Sequence, residues 1–277
     1  NVPAEQSFTS KRWQESNWLQ AMEGGIDSSH VSFLHSGSLS SDPLFKGAKG
    51  NKYNQQDRKP VFEVVDAPGG LFIGARRQAE DNQFYWRITP WVMPSFTMVP
   101  PRGDHPVHGH FWVPIDDHNC WAWSYDYHPT RALTAEERQA MEDGFGVHNK
   151  YVPGTFRPLQ NKDNDYLMDR EAQKRGESYS GIWGIAMQDA SLQESMGPII
   201  DRTKENLVST DNGIIMARHR LRKAVQAMLK TGAVPPGVDP EHQRVRSVSA
   251  LLPREAPFAV SCRDDLTVRP GVRQTSV

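Results

Sequence analysis

The sequence is poor in cysteine. Cys120 and Cys262 are the only two in 277 residues and stand far apart, which excludes a disulfide framework and a structural zinc site of the Cys type. Such a chain fits a reducing, cytoplasmic setting. It has no excess of charge of one sign: 32 Lys and Arg against 33 Asp and Glu leave a net charge of −1, without the positive field that nucleic-acid binding draws on. It has no long apolar run either. The stretch 88–101 is uncharged but carries Pro90, Pro94, Pro100 and Pro101 and falls short of the ~20 apolar residues of a membrane-spanning helix. Neither nucleic acid nor membrane is therefore an expected partner. There is no initiator Met and no charged-then-apolar leader, and the opening Asn1-Val2-Pro3 is what a segment cut from a longer polypeptide is expected to show. What is present, 37% hydrophobic and 23% charged residues, suits a globular domain that buries roughly 75% of its unfolded surface.

Periodicity divides the chain into three parts. Residues 13–34 are expected to be helical, with Trp18, Ala21, Met22, Val31 and Leu34 near a 3.6-residue period and a break or bend at Gly24-Gly25. Residues 61–65, 71–76, 84–88, 96–99, 109–115 and 120–127 read as the strands of an antiparallel meander. Turn signals at Ala67-Pro68-Gly69-Gly70, Asp81-Asn82 and 116–119 separate them. Thr134-Ala135-Glu136-Glu137 is a capping box that opens a helix ending near Gly144. Residues 145–180 are polar and aperiodic, as a lid or inter-subunit loop would be. Residues 212–229 repeat apolar side chains at helical spacing before Gly232 and Pro235-Pro236, and the tail 238–277 looks irregular. One helix, six strands and further helices predict an α+β fold, a curved antiparallel sheet wrapped around a long helix with flanking helices. Trp86, Trp91, Trp112, Trp121 and Trp123 lie in or beside the strands, as core residues or as the wall of an aromatic pocket.

The sharpest chemical feature is Glu23-Gly-Gly-Ile-Asp27-Ser-Ser-His30-Val-Ser-Phe-Leu-His35. On a regular helix Asp27 and His30 share a face, whereas His35 falls roughly 140° from His30. The two imidazoles meet only if the helix ends or widens between them. The bland alternative is a surface Asp cap with two unrelated histidines. His105, His108 and His110 alternate at the start of a strand and read as polar strand positions, because no carboxylate at ligand spacing accompanies them. The basic run Arg218-His219-Arg220-Leu221-Arg222-Lys223 reads as a solvated helix face or as a docking surface for an acidic protein.

Asn17-Trp18-Leu19-Gln20-Ala21-Met22-Glu23 followed by Asp27, His30 and His35 is similar to the catalytic-domain signature of the oxygenase alpha subunit of Rieske non-haem iron aromatic ring-hydroxylating oxygenases, phthalate dioxygenase-like branch. Tyr85-Trp86-Arg87-Ile88, Trp112-Val113-Pro114-Ile115-Asp116-Asp117, and Met187-Gln188-Asp189-Ala190-Ser191-Leu192-Gln193-Glu194-Ser195 with Gly197-Pro198-Ile199 extend the resemblance in the family's order. It implies a helix-grip, START-like domain over 1–277 holding one mononuclear Fe(II) between His30, His35 and Asp189, with Glu194 and Asp201 as fallback ligands. The competing role for Asp189 is a helix N-cap. The resemblance makes Asp27 the link in inter-subunit electron transfer; Glu23, one turn earlier, reads as a neighbour in that network or as a solvated helix-surface charge. It implies hydroxylation or demethylation of an aromatic compound, with O2 as co-substrate and a dioxygenase or monooxygenase outcome. An aromatic carboxylate would want a fixed guanidinium; Arg87 is the candidate, ahead of Arg58 and Arg76.

The family's N-terminal Rieske domain needs two Cys and two His for its [2Fe–2S] cluster, and that motif is absent here. Electrons from NADH would therefore arrive through a separate reductase or ferredoxin and a cluster outside this chain, in a homotrimer or hexamer. Two rivals remain from the residues alone. One is a non-catalytic START-like small-molecule binding module, and the other is a zinc-dependent hydrolase using the same ligands.

Overall fold

The structure, a computed structural model, describes residues 2–80, 82–268 and 274–277. Its centre is an eight-stranded antiparallel sheet: β1 (Ser7–Gln14), β2 (Val61–Ala67), β3 (Gly70–Gln78), β4 (Gln83–Val92), β5 (Phe96–Met98), β6 (Val107–Pro114), β7 (Cys120–Tyr127) and β8 (Val248–Pro253). The order is β1-β7-β6-β5-β4-β3-β2, and β8 pairs with β4 beyond the end of β5. Pro68 and Gly69 make the tight turn between β2 and β3, where Ala67 faces Gly70. All six expected strands are present. Asp81, half of one expected turn, lies outside the described residues; its neighbour Asn82 has a φ of 60°.

Two strands are additions to the sequence reading. β1 takes in Trp13, which had been placed in a helix; its alternate residues Ser10, Arg12 and Gln14 carry polar groups into the interior, so no apolar stripe announces it. β8 arises from the tail expected to be irregular, and its short run is stabilised by pairing with β4 from Gln83 to Ile88.

The helices are α1 (Trp18–Ile26), α2 (Gly50–Gln56), α3 (Ala135–Glu142), α4 (Arg170–Lys174), α5 (Ile185–Ser195), α6 (Asn212–Thr231) and α7 (Phe258–Ser261). The Asn17 side chain caps α1 by accepting the Leu19 N–H at 3.0 Å. Ala21, Met22 and Ile26 then pack against Leu71, Ile73, Trp91, Trp112 and Ala122 of the sheet, and Ala217 of α6 joins the same cluster. Burying a Met or Ile side chain in this way contributes about 1.5–3 kcal/mol. Gly24 and Gly25 are not a mid-helix break. A Cβ on Gly25 would fall inside the Trp112 ring, and one on Gly24 would meet the Gln193 amide, so the pair lets α1 sit close to the sheet and to α5. The helix expected through residue 34 stops at Ile26, and a 3-10 turn over His30–Ser32 follows.

The Thr134 capping box is present at α3. α6 runs as expected and ends at Gly232 in the left-handed conformation, φ 71°. Its first half packs on β2 and β3, while Val225, Met228 and Leu229 near its end are exposed. Among the described residues no helix is long and apolar enough to cross a membrane.

Candidate metal centre

Where α1 stops, Asp27 takes an extended conformation, φ −86° and ψ 120°. Its carboxylate accepts the Ser29 N–H at 2.7 Å and the His30 N–H at 2.9 Å, and faces His30 Nδ1 at 3.2 Å. Asp27 and His30 therefore meet through a side-chain-capped turn rather than across a helix face, which corrects the helical reading of that pair. Buried Arg77 on β3 holds the same loop, donating to Ser28 O at 2.6 Å, to Ser32 Oγ at 3.3 Å and to Asp57 O at 3.1 Å. With the helix ended, the His30 and His35 rings turn edge to face, 5.0 Å between centroids.

The third side chain comes from α5, which Gly184 enters at a φ of 85°. Asp189 lies inside this helix, so it is not an N-cap. Its Oδ1 stands 3.2 Å from His35 Nε2 and 3.6 Å from His30 Nε2. The neighbouring Gln188 fixes the second ring: its Nε2 donates to Ile182 O at 2.9 Å, so its Oε1 is the atom 2.7 Å from His35 Nδ1. A carbonyl oxygen only accepts, so His35 Nδ1 carries the proton. The Asp27 carboxylate imposes the same tautomer on His30. Both imidazoles thus turn the Nε2 lone pair towards Asp189.

The three side chains are also coupled by charge. Burial works against the Asp189 carboxylate, but the neighbouring His35 and His30 outweigh it and hold its pKa at about 2. Burial likewise opposes Asp27, and its bonds to His30 and to the Ser29 N–H pull it below the ordinary carboxylate value. His30 is raised, because Asp27 and Asp189 outweigh its own desolvation. One donor atom from each of His30, His35 and Asp189 lies within 4.8 Å of the others, the only such group of three among the described residues. Two neutral imidazole nitrogens and one carboxylate oxygen, each ring braced by a second hydrogen bond, suit a divalent first-row ion with positions left open.

The fallback carboxylates are elsewhere. Glu194 accepts the Tyr166 hydroxyl at 2.6 Å and the Glu15 N–H at 2.9 Å; Asp201 caps a 3-10 turn through Thr203. Glu23 lies in an ion-pair network with Arg202 and Arg218. Beside the three converging side chains is a cavity walled by Arg12, Arg87, Thr89, His108, His110 and Trp112. Arg87 is 1% exposed and belongs to this wall, whereas Arg58 donates to Ser32 O and Arg76 pairs with Glu63. His105 is bonded to Lys46 O; His108 and His110 are strand positions facing the cavity. Trp86 and Trp91 are core, and Trp112 serves both core and cavity. In the basic run, Arg218 pairs with Glu23 and Glu205, and Arg220 with Asp66.

Sequence reasoning missed Gln188, Arg77 and Arg12. Gln188 had a signal, its place beside Asp189 in a motif already singled out. Arg12 and Arg77 had no such signal: Arg12 lies in a strand that was not expected, and Arg77 one residue past the expected end of another.

The chain is similar to the 3-chlorobenzoate-3,4-dioxygenase oxygenase subunit of Comamonas testosteroni, 34% identical over 242 residues, 83% of this chain and 55% of that protein. It is 30% identical over 251 residues to the phthalate 4,5-dioxygenase oxygenase subunit of Pseudomonas putida, 86% of this chain and 55% of that one. It therefore spans about half the length of these curated relatives. Among solved structures, dicamba monooxygenase bound to dicamba aligns with a TM-score of 0.49 and 11% identity, covering 82% of this chain and 61% of that one. The model of the family described as LigXa C-terminal domain like matches residues 3–264, and with motifs in that family's order the chain belongs to it, on the phthalate dioxygenase-like branch.

Proposed function

We propose that residues 1–277 are the mononuclear-iron catalytic domain of a Rieske-type aromatic ring oxygenase, and that the longer subunit supplies the [2Fe–2S] cluster from an N-terminal domain. His30, His35 and Asp189 would hold Fe(II). When bound, the ion supplies the site at which O2 and externally delivered electrons are turned against an adjacent arene. The convergence of two Nε2 atoms and Asp189 Oδ1 carries this reading.

The chain's own residues do the rest. Asp27 fixes the His30 tautomer and, with its side chain 20% exposed, would connect to a neighbouring subunit in a homotrimer or hexamer. Gln188 fixes His35. Arg87, a buried guanidinium on the cavity wall, would anchor a carboxylate on the substrate ring, and Trp112 would line the ring itself. The substrate class is thus an aromatic carboxylate, hydroxylated or demethylated. Electrons would come from NADH through a reductase or ferredoxin, and the setting would be the cytoplasm. Arg222 and Lys223, which have no ion pair among the described residues, are what remains of the basic run for docking such a partner. A helix-grip frame is supported by α1 and α6 covering one face of the antiparallel sheet within a single core cluster.

Anaerobic titration with Fe(II) followed by desalting tests the centre. About one iron per wild-type chain and none in His30→Ala is expected for a single 2-His-1-carboxylate site. A folded wild-type chain that retains no iron would move the reading to a non-catalytic binding module.

A further inference from the structure

Away from the three converging side chains, the inner face of the sheet carries a line of polar groups in place of an apolar core. Ser10, Ser124, His110 and Thr97 are direct partners across β1, β7, β6 and β5, so their side chains leave the sheet on the same face. His148, from the loop after α3, reaches over the end of this row. Its Nδ1 lies 2.6 Å from Ser10 Oγ and its Nε2 lies 2.7 Å from Asp126 Oδ2, two residues further along β7. The side chains of His148 and Asp126 are 1% and 2% exposed. An ionisable pair in such a place is costly, and the metal centre makes no use of it.

A serine, a histidine and an aspartate in one hydrogen-bonded line have the make-up of an activated nucleophile, but Ser10 does not reach the wall of the cavity, whereas His110 does. What the line can do is move a proton. Burial pushes the Asp126 carboxyl above its ordinary value, with the bond to His148 acting against that. With one proton between them the pair is neutral overall, the state that burial favours. Glu137 and Asp42 are the other acidic groups that act on Asp126, and Phe8 packs edge-on against the His148 ring at 4.9 Å. At the far end Ser124 Oγ is 3.2 Å from His110 Nδ1, which leaves His110 Nε2 for the cavity. Burial and Arg12 drive His110 down to about 3, so it hands a proton on without keeping one. Ser10 and Ser124 join the two ends. Directly opposed side chains have Cβ atoms about 4.5–5.5 Å apart, a gap that two rotating hydroxyls or one water can span.

We propose that Asp126 and His148 are an internal proton store for the cavity, and that Ser10, Ser124 and His110 are the line along which the proton reaches it. Using O2 to hydroxylate or demethylate a ring consumes protons as well as electrons, so the purpose of the store rests on the reading of the metal centre; the line itself does not. In one passage His148 Nδ1 gives its proton to Ser10 Oγ, and Ser10 gives its own to Ser124. Ser124 gives its own to His110 Nδ1, and His110 releases the Nε2 proton to a basic oxygen in the cavity. The net change is one proton moved from His148 to that oxygen, leaving a neutral imidazole that donates from Nε2 to the Asp126 carboxylate. The pair then carries an uncompensated buried charge, which draws a proton back along the line from water.

The test is hydrogen exchange of the His148 ring N–H, followed by NMR on the iron-free full chain labelled with 15N in histidine. No metal takes part, so failure here is distinct from failure of the metal reading. Ser124→Ala is the deciding variant, because its hydroxyl is bonded to His110 and not to His148. It should slow exchange about 100-fold, the lower end of what a placed proton-transfer group contributes, with the His148 ring shifts unchanged. Ser10→Ala should be as slow, and Ser124→Thr, which keeps the hydroxyl, should exchange close to the wild-type rate; thermal melts confirm that each variant is folded. Exchange unchanged in Ser124→Ala, equally slow in Ser124→Thr, or too fast to follow in every form would each overturn the proposal. In the iron-loaded oxygenase supplied with electrons, Ser124→Ala should lower kcat with KM unchanged; full turnover beside slowed exchange would overturn the use of the store in the reaction.

Discussion

Gln188 shows how much of the proposed metal centre is set by a side chain that would touch no metal. Its amide is locked by Ile182 O and by Ser38 Oγ at 3.0 Å, and it in turn locks His35. Gln188→Leu removes the acceptor for His35 Nδ1 and frees the ring to flip or change tautomer. Fe(II) affinity is expected to fall about 10- to 100-fold, with Gln188→Glu retaining most of it; an anaerobic competition titration against a chelator measures both. At this scale the sequence was partly legible. Asp27, His30 and His35 stand within nine positions, so their spacing alone could suggest a shared site. Asp189 was reached through the resemblance, since no local pattern ties it to residues so far upstream. Arg12 was illegible because its place in the cavity wall depends on β1 pairing with β7, and polar residues on an inward face read as outward ones.

Elements announced themselves when their signals were local. The capping box of α3 is closed by the residues that announce it: Glu137 accepts the Thr134 N–H at 2.9 Å, and Thr134 Oγ1 accepts the Glu137 N–H at 3.1 Å. Both carboxylate oxygens of Glu137 also take Arg131 N–H groups at 2.8 Å. Burial alone would raise Glu137, but Arg131 and the Thr134 N–H outweigh it and set it below the usual value. A carboxylate with a depressed folded pKa contributes stability above its unfolded pKa and loses it as pH falls through the folded one. Glu137→Gln should therefore cost about 1 kcal/mol at neutral pH. The cost should vanish once acid has protonated Glu137 in the wild type, which thermal melts in neutral and acidic buffers will show. β1 and β8 were illegible for the opposite reason. Each is defined by its partner strand, β1 by β7 and β8 by β4, and neither carries an alternation that stands out without it.

Over the whole molecule, the proposed centre joins parts of the chain that are distant in sequence. His30 and His35 follow α1, and Asp189 belongs to α5, with most of the sheet lying between them in the chain. A metal bound by all three ties these segments together only in the folded state, so it should stabilise the fold by mass action. Fe(II) at about 100 times its dissociation constant is expected to add about 2.7 kcal/mol, seen as a rise in the anaerobic unfolding midpoint that Asp189→Ala abolishes; an unchanged midpoint at saturating Fe(II) would count against the site.

The pairing of β4 has a further bearing, on synthesis. Its first half, which carries Arg87, is bonded on one side to β3 and on the other to β8, whereas its second half pairs with β5. A ribosome delivers β3, β4 and β5 in quick succession, but β8 only after about 150 further residues have emerged. During that interval the edge beside Arg87 stays open, so the corner of the cavity that holds Arg87 is among the last parts of a nascent chain to be finished, well after the histidines have been made.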